Sequence, residues 1–415
     1  MLRFEKFTLD NGLRVIVHED HDTPMAVLNI LYQVGAKDEE ETKTGFAHLF
    51  EHLMFGGTEN IPNYDEPLQR AGGESNAFTS NDLTNYYDLL PAENLEVAFW
   101  LESDRMQALK MDSHSLEVQR KVVCEEFKEH YLNQPYGDVW HKLSSLAYKV
   151  HPYKWPTIGK ELAHIENASL EDVQHFFRTY YHPANAIMVV AGNVESQQVH
   201  DLCQKWFAPI PSGPLVRKTI LPEPPQTEER KLEIEADVPL DAIVKAWHMG
   251  KRNSPNFYAM DLASNLLADG TSSRFYQNLV KRKKLFSDAE AYVTATCDEG
   301  LFVVEGRLMP GVTMQQAEEA LWEEIHRLCE EEPPANEFQK VKNKAEAGLT
   351  FSDVNLLARA THLAFFEMLE EASRINREAE LYTGVSPAEF LREVRTVCTP
   401  ANCSTIHYYS KNQRH

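Results

Sequence analysis

His48, Glu51 and His52 stand together in the pentapeptide His-Leu-Phe-Glu-His. On a helix, residues four apart share one face, so both imidazoles reach toward the same point. Two imidazoles and a carboxylate suit zinc, with a fourth position left for water whose pKa the bound ion lowers toward neutrality. Glu51 lies on the same side of the helix as both histidines. It is placed to take a proton from that water and deliver it to a leaving amine. Leu49, Phe50, Leu53 and Phe55 would bury the rest of the segment in a core. Taken alone, the five residues leave a plainer alternative open: a buried helix with two satisfied histidines.

The elements that must hold these residues follow from periodicity and turn chemistry. FTLDNGLRVIVHED reads as a hairpin with an Asp-Asn-Gly turn, and MAVLNILYQVG (25–35) as a second strand. The metal-type helix runs through GFAHLFEHLMF and stops at Gly56–Gly57. Residues 77–89 are strand-like, while 95–109 and 115–132 read as helices. A helix over 169–181 is opened by the capping pattern Ser-Leu-Glu-Asp, and AIMVVAG (186–192) is a short buried strand. Six prolines then fall between Pro209 and Pro225, which excludes a helix and predicts an extended linker.

Strands over 232–249, a helix over 256–268 and long helices over 313–330 and 336–349 repeat the earlier plan. Pro-Ala-Asn precedes an apolar strand at both Pro183 and Pro400, an offset of 217 residues. At that offset Trp247 falls on Ile30, Asn265 on His48 and Ala268 on Glu51. The expected fold is therefore α+β: two duplicated domains, each an antiparallel-rich sheet packed against helices. Residues 1–208 form the metal-binding domain, 209–226 the Pro-rich linker and 227–415 a homologous domain without the metal residues.

Bulk composition narrows the function. Of 415 residues, 43% are hydrophobic and 25% charged, with a formal net charge of -22. So acidic a chain lacks the clustered Lys and Arg that nucleic acid requires, and would steer cationic peptides toward itself. Cys124, Cys203, Cys297, Cys329, Cys398 and Cys403 show no CxxC pair or regular spacing, and read as reduced, mostly buried thiols. No apolar run is long enough to span a membrane, and MLRFEKFTLDNG lacks the apolar core of a secretion signal. The expectation is a cytoplasmic protein with no membrane contact.

The pentapeptide lies in TGFAHLFEHLMFGGT, followed by GGESNAFTSNDLTNYY, QRKVVCEE, HPYKWPTIG and YYHPANAIMVVAGNV. Together these resemble the pitrilysin/insulysin family of inverted zincins, in which His-x-x-Glu-His reverses the commoner order. The likeness is to its short, processing-peptidase-like bacterial zinc proteases, and is denser over 1–210 than afterwards. It implies a zinc-dependent metalloendopeptidase hydrolysing unfolded peptides, with one Zn2+ per chain. Glu51 would be catalytic, and His48 and His52 ligands.

The resemblance also implies a further liganding glutamate, which matches Glu126, 74 residues after His52. Helical spacing favours it over Glu125, because it follows Val122 and Val123; Glu129 shares that face and is the second candidate. Where the family carries a supporting glutamate, this chain has Gln119, an amide without charge. Asn76, Ala77, Phe78 and Thr79 match the edge strand on which substrate lies. An Arg and Tyr that some relatives use in the second half are replaced by Val280 and Ser287. Relatives of this length form half of a clam-like chamber, so a homodimer, or a heterodimer with a homologous chain, is expected. The alternative is a non-catalytic or weakly active subunit that only binds peptides.

Overall fold

The computed structural model describes residues 1–216 and 218–411. Arg217, inside the expected linker, and residues 412–415 at the end of the expected second domain lie outside the described residues. The strands are β1 (Glu5–Thr8), β2 (Arg14–Glu19), β3 (Met25–Tyr32), β4 (Glu74–Thr79), β5 (Thr84–Pro91) and β6 (Ala186–Gly192) in the first half. The second half holds β7 (Arg230–Ala236), β8 (Ala242–Met249), β9 (Phe286–Val293), β10 (Gly300–Leu308) and β11 (Cys403–Ser410). Five helices matter most below: α1 (Phe46–Leu53), α2 (Ser113–Phe127), α3 (Val139–Ala147), α4 (Pro255–Ala268) and α5 (Leu356–Leu369).

Two sheets result, with orders β1-β2-β6-β3-β5-β4 and β7-β11-β8-β10-β9. Apart from the extra hairpin strand β1, they have one plan. In each, a single parallel pair (β2 with β6, β7 with β11) is followed by antiparallel pairs out to an edge strand. Ile30 lies in β3 and Trp247 in β8, the strands that the offset of 217 superposes. The α+β architecture with duplicated sheets is thus present.

The chain forms two compact units, and each draws on both halves. One comprises Met1–Glu129, Trp155–Thr219 and Thr350–Arg377; the other comprises His130–Lys154, Ile220–Leu349 and Glu378–His415. In the first unit, Ala360, Leu363 and Ala364 of α5 pack on Ile16, Val27, Leu31, Ile187 and Val189. In the second, Leu143 and Ala147 of α3 pack on Val244, Ala246, Leu301, Val303 and Ile406. The offset of 217 places Val139 on Leu356, so α3 and α5 begin at equivalent positions of the repeat. Each half therefore lends a helix to the unit built on the other half's sheet.

A cut at 209–226 keeps 130–154 with the first half and 350–377 with the second, whereas the compact units hold them the other way round. The reason is burial: these sheets are apolar on both faces, and β6 is buried at every residue. One face of the second sheet, through Trp247, Phe302 and Val304, is covered by α4 and the helix Met314–Glu330. The other face needs the lent helix. Nothing in local periodicity reports which sheet a helix covers. Among the described residues of 211–226 there is no helix or strand, as the prolines require.

Three local expectations change. Residues 77–89 are not one strand but the hairpin β4–β5, turning through residues 80–83. The helix expected over 115–132 is α2, capped by Asp112, and ends at Phe127 in a π-type turn, Lys128–Leu132. Val122 is 45% exposed, so the inward face of α2 runs through Val123 and Phe127 and not through Val122. Ser169 caps its helix by accepting from the Asp172 amide, as read. All six cysteines are free thiols, and no described helix is long and apolar enough to cross a membrane.

Candidate metal centre

Helix α1 has only eight residues, and packing makes it. Leu49, Phe50 and Leu53 are buried, and Phe50 stacks on Phe176 and Tyr181 at 4.9 and 5.1 Å between ring centroids. Phe55 is half-buried. The residue before the helix, Gly45, has φ 87°, and a Cβ there would lie 2.7 Å from the Ile158 carbonyl oxygen. Only glycine fits that entry.

Gly45 offers no side-chain cap. The amides of Gly45 and Ala47 instead donate to Glu39 Oε2 and Oε1 at 2.9 and 2.8 Å. Glu39 is 2% exposed, and burial pushes its pKa up to about 8 against the pull of those two amides.

The imidazoles of His48 and His52 project from successive turns, with centroids 4.8 Å apart. Glu126 comes from α2, which packs on α1, and its Oε2 lies 3.7 Å from His48 Nε2 and 3.3 Å from His52 Nε2. One ligand atom from each of the three lies within 4.8 Å of the other two. Zinc bonds of about 2.0–2.1 Å in a tetrahedron separate ligand atoms by about 3.4 Å, so this donor set fits the ion. Burial holds His48 down to about 4, opposed by Glu126, which leaves its imidazole neutral and its lone pair available near pH 7.

Glu51 lies on the same helix. Its carboxylate is raised above its ordinary range by burial, while a hydrogen bond from Thr79 Oγ1 to Oε2, at 2.6 Å, pulls it back. A base kept partly desolvated and held in one orientation suits proton transfer.

Of the other carboxylates on and after α2, Glu125 pairs with Lys128, Glu117 with Arg120 and Lys121, and Glu129 is exposed. Gln119 is half-buried, and its side chain makes no hydrogen bond among the described residues. Asn76, Ala77, Phe78 and Thr79 lie on β4, the last strand of its sheet. Phe78 is 40% exposed, and the Asn76 side chain accepts from the Ala77 amide. In the second half, Asn265 donates to the Asp261 carbonyl and Ala268 packs against the core, so α4 repeats neither His48 nor Glu51 and joins no metal-type cluster of three among the described residues. Val280 packs on the same core and Ser287 is exposed.

Two contributors escape sequence reading. Glu39 is one of four consecutive acids, Asp38 to Glu41, and no spacing singles it out. Thr79 was expected only to meet substrate, and its bond to Glu51 depends on how β4 passes α1.

Residues 14–161 match the family described as insulinase (peptidase family M16), and 167–345 match the peptidase M16 inactive domain. The chain is 32% identical to zinc protease PqqE of Helicobacter pylori, over 83% of this chain and 79% of the relative. It is 25% identical to an uncharacterized zinc protease, YmxG of Bacillus subtilis, over 90% and 93%. The crystal structure of a protease from Helicobacter pylori is similar with a TM-score of 0.92 at 27% identity, covering 99% of this chain and 100% of that one. A Pseudomonas fluorescens structure described as a peptidase M16 inactive domain shares the fold, with a TM-score of 0.88 at 15% identity over 99% of each chain. With family matches on both halves and a relative at this identity over most of both chains, the protein belongs to the insulinase family, peptidase family M16.

Proposed function

We propose that this chain is a zinc-dependent metalloendopeptidase that hydrolyses peptide bonds in unfolded peptides. The observation that carries the reading is the convergence of His48, His52 and Glu126 within 4.8 Å, with Glu51 beside them on α1. His48 and His52 through Nε2, and Glu126 through Oε2, are the atoms that would hold zinc. Zinc, when bound, supplies Lewis acidity toward water and toward a peptide carbonyl. Glu51 accepts a proton from water and returns it to the departing amine, while Thr79 holds its carboxylate in place.

An extended peptide adds to the free side of β4 by backbone hydrogen bonds, which select for unfolded chain more than for sequence. Phe78 and Asn76 present side chains there, and Gln119, two turns before Glu126 on α2, is the position from which an amide would support the ligands. The name zinc protease on two relatives supports the metal.

Residues 209–226 connect the two halves in this reading. The inactive-domain match runs over 167–345, and the second half carries Asn265 and Ala268 where His48 and Glu51 would recur. We further propose a homodimer or a heterodimer with a homologous chain. Relatives named as a subunit of a mitochondrial-processing peptidase and of a cytochrome b-c1 complex support a subunit role. A non-catalytic peptide-binding subunit is the second reading, favoured by the inactive-domain match and opposed by the complete pentapeptide.

The test compares wild type with Glu51→Gln for zinc content and for cleavage of flexible peptides. Equal zinc with activity lost in the variant supports the peptidase. A zinc-loaded wild type that cleaves no peptide supports the second reading.

A further inference from the structure

We infer that Glu39 is a positioning residue for the metal-holding face of α1, an inference that rests on the zinc reading above. A helix of two turns has little stability of its own. Its first amides have no partners within the helix and must find acceptors elsewhere. The usual remedy is a side chain at the cap, and Gly45 has none. Glu39 supplies it from outside: Oε2 accepts from the Gly45 amide and Oε1 from the Ala47 amide. At 2% exposure, water cannot replace either bond.

The loop that carries Glu39 is itself tied down. Lys218 Nζ donates to the Glu39 carbonyl at 2.6 Å, Trp155 Nε1 to the Ala36 carbonyl at 2.9 Å, and the Gly35 amide to Asp38 Oδ2 at 2.9 Å. A fixed loop therefore fixes the first turn. His48 stands in that turn, next to Ala47, whereas Glu51 and His52 stand one turn further on, beside buried Phe50 and Leu53. Loss of Glu39 frees the first turn alone. It moves His48 Nε2 relative to His52 and Glu126, and three donors that must converge on one ion no longer do so.

The experiment measures zinc affinity by competition with a chromophoric chelator, on the full chain, for wild type, Glu39→Ala and Glu39→Gln. Amide hydrogen exchange of the metal-free proteins is followed at residues 45–48. Phe99→Leu is the control: Phe99 is buried against Phe207, so the change destabilises the same unit without touching α1. Glu39→Ala should weaken zinc binding at least tenfold and speed exchange at 45–48. Glu39→Gln keeps the shape and one acceptor, should fold even where Ala does not, and should weaken binding about threefold.

Phe99→Leu should keep wild-type affinity. The inference is overturned if wild type and Glu39→Gln bind zinc equally with unchanged exchange at 45–48, or if Phe99→Leu loses as much affinity as the Glu39 variants. Wild type that binds no zinc is a distinguishable result and overturns the functional reading together with this inference.

Discussion

Replacing Thr79 by valine removes one hydroxyl and preserves shape, which isolates the bond to Glu51. That bond is 2.6 Å long and joins a hydroxyl to a carboxylate. Hydrogen bonds to charged groups contribute about 1.5–3 kcal/mol. Both side chains are half-buried, so water competes and the lower end applies, about 1.5 kcal/mol. If the bond holds Glu51 in its reactive orientation, that energy appears in the barrier, and kcat/KM falls about tenfold. The sign of the pH effect is also set. Burial raises the Glu51 pKa and Thr79 lowers it, so removing Thr79 raises it further and moves the acidic limb of kcat/KM to higher pH. The assay is cleavage of a quenched fluorescent peptide across pH, with zinc content measured on the same samples. Thr79→Ser keeps the hydroxyl and should keep activity. A valine variant with wild-type kcat/KM and an unmoved limb would refute the role, and one that loses zinc would place Thr79 in metal retention instead.

Other outcomes follow from the same geometry. Glu126→Gln should weaken zinc binding by at least tenfold in metal titration, while Glu125→Gln and Glu129→Gln, both at exposed positions, leave it unchanged. Glu318 is held well below its usual range by His407, against desolvation, and by Lys245. Its depressed pKa means the stabilisation is full above about pH 4.5 and is lost as pH falls. The stability gap between wild type and Glu318→Gln in urea melts should therefore shrink on acidification. For the proposed pairing, the isolated chain should cleave flexible peptides weakly and gain orders of magnitude with a homologous partner, followed by light scattering; full activity from a strict monomer would end that proposal.

Much of this protein was legible in sequence because the relevant chemistry is local. His48, Glu51 and His52 are four residues apart at most, and helical period alone puts them on one face. The Asp-Asn-Gly hairpin, the Ser169 cap and the proline-rich break are likewise decided within a few residues. The repeat was visible as an offset of 217 residues, since two copies of one pattern carry their own register. Resemblance added Glu126, which spacing alone could not tell from Glu129.

Tertiary structure decided whatever depends on which surfaces meet. The bond from Thr79 to Glu51, the capping of α1 by Glu39, and the approach of Glu126 to His48 and His52 all join residues from separate elements. So does the fully buried cluster of Tyr64, Asp88, Glu102 and Arg105, whose charges are tolerable only in one another's company. The placing of α3 and α5 in units built on the other half's sheet is the largest case. A helix's periodicity states which face it buries. It carries no record of the sheet that receives it, because any apolar face satisfies the same pattern, and only the packed chain selects one.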